Sequence, residues 1–361
     1  MNMKGKPFEN MNTSAKNRYC RTVCEFIAVS AMFALIALGF AAYVIFLNFR
    51  GASSAAKLQA FLTKALLCGM LLAMGVSLFT GSPDNAMPVF SQVTGAGGGK
   101  AATEGASLFA GIVSVLVLTP FFYAGFDTIP QQAEEAAEGL NWNKFGKIIS
   151  LALLAAGGFY MVCIYSFGTI LDWHEFVKSP VPALACLKGI NMLLYLAMLV
   201  IATLGPMGPM NSFYGATSRI MLAMGRKGQL PEKFAEVDPK SGAPKLACVV
   251  LGVITVIGPF LGKNMLIPLT NVSALAFIFS CGMVALACLR MRFTEPDLPR
   301  PYEVPGGKFG IGLAIAACAI IIGLLVIPFS PASLNMVEWS IVIGWLAIGL
   351  ALMAFTNSRK K

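Results

Sequence analysis

Nine apolar runs, each close to the length that crosses a bilayer, set the limits on what this 361-residue chain can fold into; they fall near 26–47, 58–80, 107–127, 148–171, 190–213, 246–262, 264–289, 309–329 and 337–356. A spanning helix takes about 20 mostly apolar residues, because the hydrocarbon core is about 30 Å thick. Hydrocarbon offers no hydrogen bonds, so each run must satisfy its own backbone by coiling. With 57% hydrophobic and 12% charged residues and a mean hydropathy of +0.73, the chain has too little polar material to coat a soluble globule. The expectation is an all-α integral membrane protein of about nine transmembrane helices. Two runs fit less well: 58–80 carries Lys64 near one end, within snorkelling reach of the interface, and 246–262 is short.

Basic residues test that count independently, because cytosolic connectors collect them. With the C-terminus inside, the inner connectors hold Arg50, Lys57, Lys64, Lys144, Lys147, Arg219, Arg226, Lys227, Lys233, Lys240, Lys245, Arg290, Arg292, Arg300, Lys308, Arg359, Lys360 and Lys361. The outer connectors hold only Lys100, Lys178, Lys188 and Lys263. A plasma or inner membrane with the C-terminus cytoplasmic is therefore expected. The net charge of +10 reads as a basic face toward anionic lipid, and no nucleic acid partner is expected. Lys4, Lys6, Lys16, Arg18 and Arg21 break the pattern, since nine helices would place that tail outside. Its following apolar run is too long for a cleaved signal.

The predicted division is a basic tail over 1–25, one membrane domain over 26–356 and a basic tail over 357–361. The connectors near 81–106, 129–147, 172–189, 225–245 and 290–308 are too short for an independent core. Asp172-Trp173-His174-Glu175-Phe176 reads as an interfacial turn. Cysteines in the spans read as small buried hydrophobes. Cys20 and Cys24 lie one helical turn apart, but with a single histidine, His174, they do not make a metal site. No metal or cofactor is called for.

The run near 107–127 cannot be one simple span. From Ser107 to Thr119 it has about 13 apolar residues, roughly 20 Å of helix. It then meets Pro120-Phe121-Phe122-Tyr123-Ala124-Gly125-Phe126-Asp127, followed by Thr128-Ile129-Pro130. Pro120 is disfavoured inside a helix, Gly125 permits unusual dihedrals, and Asp127 with Pro130 suits a helix start. A broken membrane helix exposes carbonyls at the end of its first half, which attract an ammonium group, and N–H groups at the start of its second, which favour a carboxylate. Those ends complement an amino acid. Beyond the break, Asp127, Gln131, Glu134 and Glu138 share one helical face, as a solvated stripe or a proton path. A second distortion is expected at Gly205-Pro206-Met207-Gly208-Pro209, inside an apolar run from about 190 to 224 that would span roughly 50 Å if straight. An enzyme is not expected: no HExxH occurs, no histidine lies in a span, and no serine or cysteine has an obvious base beside it. A GxxxxGK[ST] loop for ATP is absent too.

PFFYAGFDTIPQQAEEA resembles the sixth-helix signature of the amino acid/polyamine/organocation (APC) superfamily of transporters. NSFYGATSRIMLAMGRKGQLPEKFAEVDPKSGAPKLA resembles that family's eighth helix and following loop, LRMRFTEPDLPRPYEVPGG its loop between the tenth and eleventh helices, and LNFRGASSAAKLQAFLT its connection from the fourth to the fifth. The resemblance implies a leucine-transporter-like inverted-repeat fold. It would comprise a partial first repeat over 26–80, a second over 107–294 and two further helices over 309–356, with no counterpart of the first three family helices or their Gly-Ser-Gly segment. It implies transport of a small-molecule substrate, an amino acid or amine, by alternating access across the lipid bilayer, coupled to a proton or sodium ion. An alternative is a non-transporting remnant or subunit whose partner supplies the missing helices. It further implies that carbonyls around Phe121, Phe122 and Ala124 hold the substrate ammonium, with Tyr123 beside them, Gly125 allowing close approach and Phe126 as a gate. Asp127, Glu134 and Lys64 are the pathway or coupling candidates, Lys64 being better placed to snorkel.

Overall fold

The computed structural model describes residue 32 and residues 34–50, 52–86, 108–131, 141–172, 181–300 and 302–358. Among them every regular element is helical. In chain order these are α1 (Ala34–Phe49), α2 (Ala52–Thr80), α3 (Leu108–Tyr123), α4 (Thr128–Gln131), α5 (Trp142–Gly168), α6 (Pro182–Ile190), α7 (Met192–Leu204), α8 (Met207–Arg226), α9 (Lys245–Ile257), α10 (Leu266–Thr294), α11 (Gly307–Val326) and α12 (Met336–Ser358). Among the described residues six stretches are long and apolar enough to cross a membrane: Ala55–Thr80, Trp142–Gly168, Met192–Arg226, Leu266–Thr294, Gly307–Val326 and Met336–Thr356. Three shorter apolar helices, Ala34–Phe49, Phe109–Tyr123 and Lys245–Leu261, fall in the remaining predicted runs.

Several boundaries differ from the expected ones for identifiable reasons. α5 starts at Trp142, within a stretch that Lys144 and Lys147 mark as polar, because the Asn141 side chain caps it by accepting from the Lys144 N–H at 3.0 Å. α6 lies inside what reads as a connector; Pro182 at its first position and Asn191 at its end delimit it. The same Asn191 side chain accepts from the Leu193 and Leu194 N–H groups, at 2.8 and 3.2 Å, and so caps α7. In the long run ending in α8, the bend comes at Gly205–Pro206 as expected, but Pro209 sits quietly inside α8. It occupies the first turn, where a missing N–H breaks no ladder bond. The candidate interfacial turn beyond Asp172 lies outside the described residues.

Packing sorts the helices into two groups. In the first, α2 runs against α5, α6, α7 and α8. One cluster there joins Ala73 and Met74 of α2 to Phe167, Cys186, Leu187 and Met198. Another joins Val44 of α1 to Leu62, Met207, Tyr214 and Cys248. Asn48 and Asn211 are both buried and form a relay: Asn48 donates to the Asn211 Oδ1 at 2.9 Å, and Asn211 donates on to the Ala55 carbonyl at 3.1 Å. The second group is α3, α10, α11 and α12, centred on Val117, Leu325 and Leu334. After α8 the chain closes a turn at Asp238, whose carboxylate meets the Lys245 ammonium at 2.9 Å and the Ser241 hydroxyl at 2.8 Å. These two donors hold the Asp238 carboxyl down at about 2.

Candidate functional site

The chain passes from one group to the other at the break. α3 packs on α10 and α11, whereas α4 packs on α8. A helix continuing straight from α3 would stay with its own group, so the interruption redirects the chain.

Its local chemistry begins before the turn. Pro120 lies inside α3, which continues to Tyr123, so the expected breaker does not break the helix. Lacking an N–H, Pro120 leaves the Leu116 carbonyl without its usual donor. The Thr119 hydroxyl donates to that carbonyl instead. Side-chain hydroxyls serve this purpose where no water can.

The helix ends one turn later. The Ala124 N–H reaches only to the Phe121 carbonyl, at 3.2 Å. Gly125 then takes φ +128°, a conformation that strains any residue with a Cβ. Its N–H turns to the Asp127 carboxylate at 2.9 Å, while its carbonyl accepts from the Thr128 N–H at 3.2 Å and hydroxyl at 2.6 Å. Asp127 thus stands at the N-cap position of α4, but its carboxylate bonds backward to Gly125 and sideways to the Gln131 amide, at 2.9 Å. That is a correction to the simple cap expected there: the carboxylate fastens the turn together.

Of the three carbonyls expected to receive an ammonium, two already have donors. Phe121 serves Ala124, and Phe122 accepts from the Tyr160 hydroxyl of α5 at 2.9 Å. The Ala124 carbonyl accepts from none of the described residues. A Cβ built on Gly125 would meet nothing within 4 Å, so space is open beside the turn.

Aromatic rings surround it. Tyr123 and Tyr160 lie edge to face at 6.0 Å between centroids, and Phe122 lies 6.3 Å from Tyr160. Phe126 meets Phe277 of α10 edge to face at 5.9 Å and 87°. Tyr123 and Phe126 border an open groove of about 730 Å³, walled across by Ser150, Leu153, Leu154, Gly157, Gly158 and Met161 of α5. Tyr123 reaches α5 where Gly157 has no side chain; a Cβ there would lie 2.5 Å from the Tyr123 hydroxyl, which would have to shift. Phe121 and Phe122 are exposed and do not line the groove.

The remaining candidates are dispersed. Lys64 is exposed on α2 and makes no ion pair among the described residues. Glu134 lies outside the described residues. Two site residues escape a sequence reading, Tyr160 and Phe277. Tyr160 leaves a faint signal as one of two tyrosines inside the apolar run near 148–171; Phe277 leaves none, being one phenylalanine among 26.

Comparison with known proteins accords with this architecture. The chain is 28% identical over 257 residues to a branched-chain amino acid permease of Bacillus subtilis, covering 70% of this chain and 51% of the relative. It is 26% identical over 265 residues to the human cystine/glutamate transporter, covering 73% and 50%. It is 30% identical over 131 residues to an aspartate-proton symporter of Bacillus subtilis, covering 35% and 24%. The chain spans about half the length of the first two relatives. The profile of the amino acid permease family matches residues 9–353. A match over nearly the whole length, on helices of this length and apolarity, makes the chain a multi-pass membrane protein that belongs to the amino acid permease family of the APC superfamily.

Proposed function

We propose that the protein is a secondary active transporter of amino acids or related amines, working by alternating access and driven by a proton or sodium gradient. In this reading it is not an enzyme, and it lies in the plasma or inner membrane with its C-terminus cytoplasmic. The side on which basic residues collect supports that orientation. The observation that carries the function is the open turn at 124–127, with Gly125 at φ +128°, between the end of apolar α3 and the start of α4 in a permease-family chain. Non-helical backbone at membrane depth is tolerated where protein or a cavity satisfies it.

The Ala124 carbonyl, lacking a donor among the described residues, is the natural first contact for the substrate ammonium. Those of Phe121 and Phe122 add negative potential nearby. Gly125 keeps the approach clear, and Phe126 gates it by parting from Phe277. The Asp127 carboxylate, engaged by Gly125 and Gln131, holds the turn in shape. The relatives are named for branched-chain amino acids, for cystine and glutamate, and for aspartate. Recognition by backbone dipoles suits such variety, because it reads the groups that all amino acids share.

The test is binding of tritiated amino acids to the purified protein in nanodiscs, followed by uptake into proteoliposomes under imposed proton or sodium gradients. Saturable binding is expected, displaced better by an amine lacking the carboxylate than by an acid lacking the ammonium. Gly125→Leu removes it. Absence of saturable binding, or equal competition by the acid, overturns the assignment.

A further inference from the structure

A second open groove, of about 730 Å³, lies between the start of α5, the end of α10 and the loop from α10 to α11. α5 belongs to one packing group and α10 to the other, so the groove follows the seam between them. Its walls are apolar, with Ile149 from α5 and Val284, Ala287 and Met291 from α10. Its mouth carries three aromatic rings. Trp142 and Phe145 lie edge to face at 5.7 Å between centroids. The Tyr302 ring reaches α5 where Gly146 has no side chain, since a Cβ there would lie 2.7 Å from it, and the Tyr302 hydroxyl lies 3.2 Å from that of Ser150. Amphipathic rings beside an apolar wall mark the level at which lipid chains give way to headgroups.

Two arginines also line the groove, and they differ. Arg300 is spent on backbone: it donates to the carbonyls of Met291, Glu295, Pro296 and Leu298, at 3.2, 2.6, 2.8 and 3.1 Å, which ties the loop to the end of α10. Arg292, in the last turn of α10, is partly buried yet makes no ion pair and no hydrogen bond among the described residues. The α10 dipole favours a cation at that end, but it leaves the guanidinium donors unfilled. Lys144 and Lys147 add positive charge on the first two turns of α5. Among the described residues no acidic side chain lines the groove, and Glu295, Asp297 and Glu303 of the loop stand off its wall.

We propose that this groove binds an anionic phospholipid, with one acyl chain along the seam between α5 and α10 and the phosphate on Arg292. The apolar walls take the chain. The planar fork of arginine matches two phosphate oxygens at once. Basic pockets between membrane helices favour a headgroup of net negative charge, whereas the ammonium of a zwitterionic headgroup would meet Lys144 and Lys147. A soluble anion fits less well, since it leaves the apolar length of the groove unfilled. The inference goes beyond the transport reading and does not depend on it, because occupancy is read from lipid binding alone.

The test is fluorescence quenching of the full chain in uncharged detergent micelles, by phospholipids whose acyl chains are brominated near the headgroup. Bromine quenches tryptophan only at close range, and Trp142 lines the groove. Phosphatidylglycerol should quench saturably at a roughly tenfold lower mole fraction than phosphatidylcholine with the same chains. Trp142→Phe should remove that saturable component. Arg292→Gln should bring phosphatidylglycerol to the level of phosphatidylcholine, and Arg292→Lys should keep part of the preference. Lys240→Gln, at an exposed charge on another loop, should change nothing. Equal quenching by the two lipids, saturable quenching that persists in Trp142→Phe, a preference that survives Arg292→Gln, or an equal loss in Lys240→Gln overturns the site. So does displacement of the lipid by glycerol phosphate, since the groove then holds a soluble anion. Should Arg292→Gln fail to fold, Arg292→Met carries the same test with an apolar stem in place of the charge.

Discussion

Two apolar segments of this molecule contain glycine and proline, and they end up with opposite structures. At Gly205 and Pro206 both residues keep right-handed helical dihedrals, φ −50° with ψ −52° and φ −62° with ψ −21°. Bonds continue across the bend: Gly205 N–H to Ile201 at 2.8 Å, Gly208 N–H to Gly205 at 3.2 Å, and Met210 N–H to Pro206 at 3.1 Å. At Gly125 the dihedral reverses sign, and the N–H leaves the ladder for the Asp127 carboxylate. Proline is not what separates them, because Pro120 lies inside an intact helix. What separates them is an acceptor two residues downstream. A carboxylate at 127 makes it favourable for the Gly125 N–H to turn away, and glycine alone makes that turn without strain. The first segment is a bend, and the second is an opening.

Gly125→Ala should show the largest effect. The new Cβ meets no atom within 4 Å, so any loss comes from the φ of +128° and not from crowding. Holding a residue with a side chain in such a region costs about 1–3 kcal/mol. Denaturant unfolding in mixed micelles, followed by tryptophan fluorescence, should register a loss of that size. A neutral result would mean that the opening does not depend on the reversed dihedral, and the contrast with Gly205 would collapse. Asp127→Ala comes next. It strands the Gly125 N–H and the Gln131 amide, for about 1–2 kcal/mol in the same assay. Asp127→Asn, which keeps an acceptor oxygen for Gly125, should recover part of that.

How much of this was legible beforehand differs between the fold and the site. A ruler of about 20 apolar residues located the spans, because the bilayer imposes its thickness whatever the contacts. It missed α6 and the first turns of α5, where Lys188, Lys144 and Lys147 read as connector although local caps and packing make helix. At the site, the place of the break could be read from composition, but its cause could not. Whether Pro120 breaks α3 depends on whether the Leu116 carbonyl finds another donor, and the hydroxyl one residue before it supplies one. The occupants of the break come from elsewhere in the chain. Tyr160 takes the Phe122 carbonyl from 38 residues away, and Phe277 meets Phe126 from another helix altogether. Such pairings follow from packing, and no local pattern encodes them.

Thr119→Val sharpens the comparison on the proline side. It removes the donor that lets α3 continue through Pro120, leaving the Leu116 carbonyl unanswered, and should destabilise by about 1 kcal/mol. If proline were the opener, the same change would do nothing, because that carbonyl would already belong to a broken helix.

Gly205→Ala should have the smallest effect. Its dihedrals suit any residue, and alanine gains about 1 kcal/mol over glycine in a helix interior. Against that, the new Cβ would lie 3.1 Å from Leu66 Cδ1 and 3.3 Å from the Ile201 carbonyl, close enough that α2 must yield slightly. The Leu66 methyl is the end of a flexible side chain and can move; the carbonyl cannot. The opposing terms should leave the unfolding free energy within about 0.5 kcal/mol of the parent. A loss as large as that of Gly125→Ala would show that Gly205 is kept for conformation and not for fit. The bend would then be a second opening held shut by its neighbours, and the distinction drawn between the two segments would be one of state and not of kind.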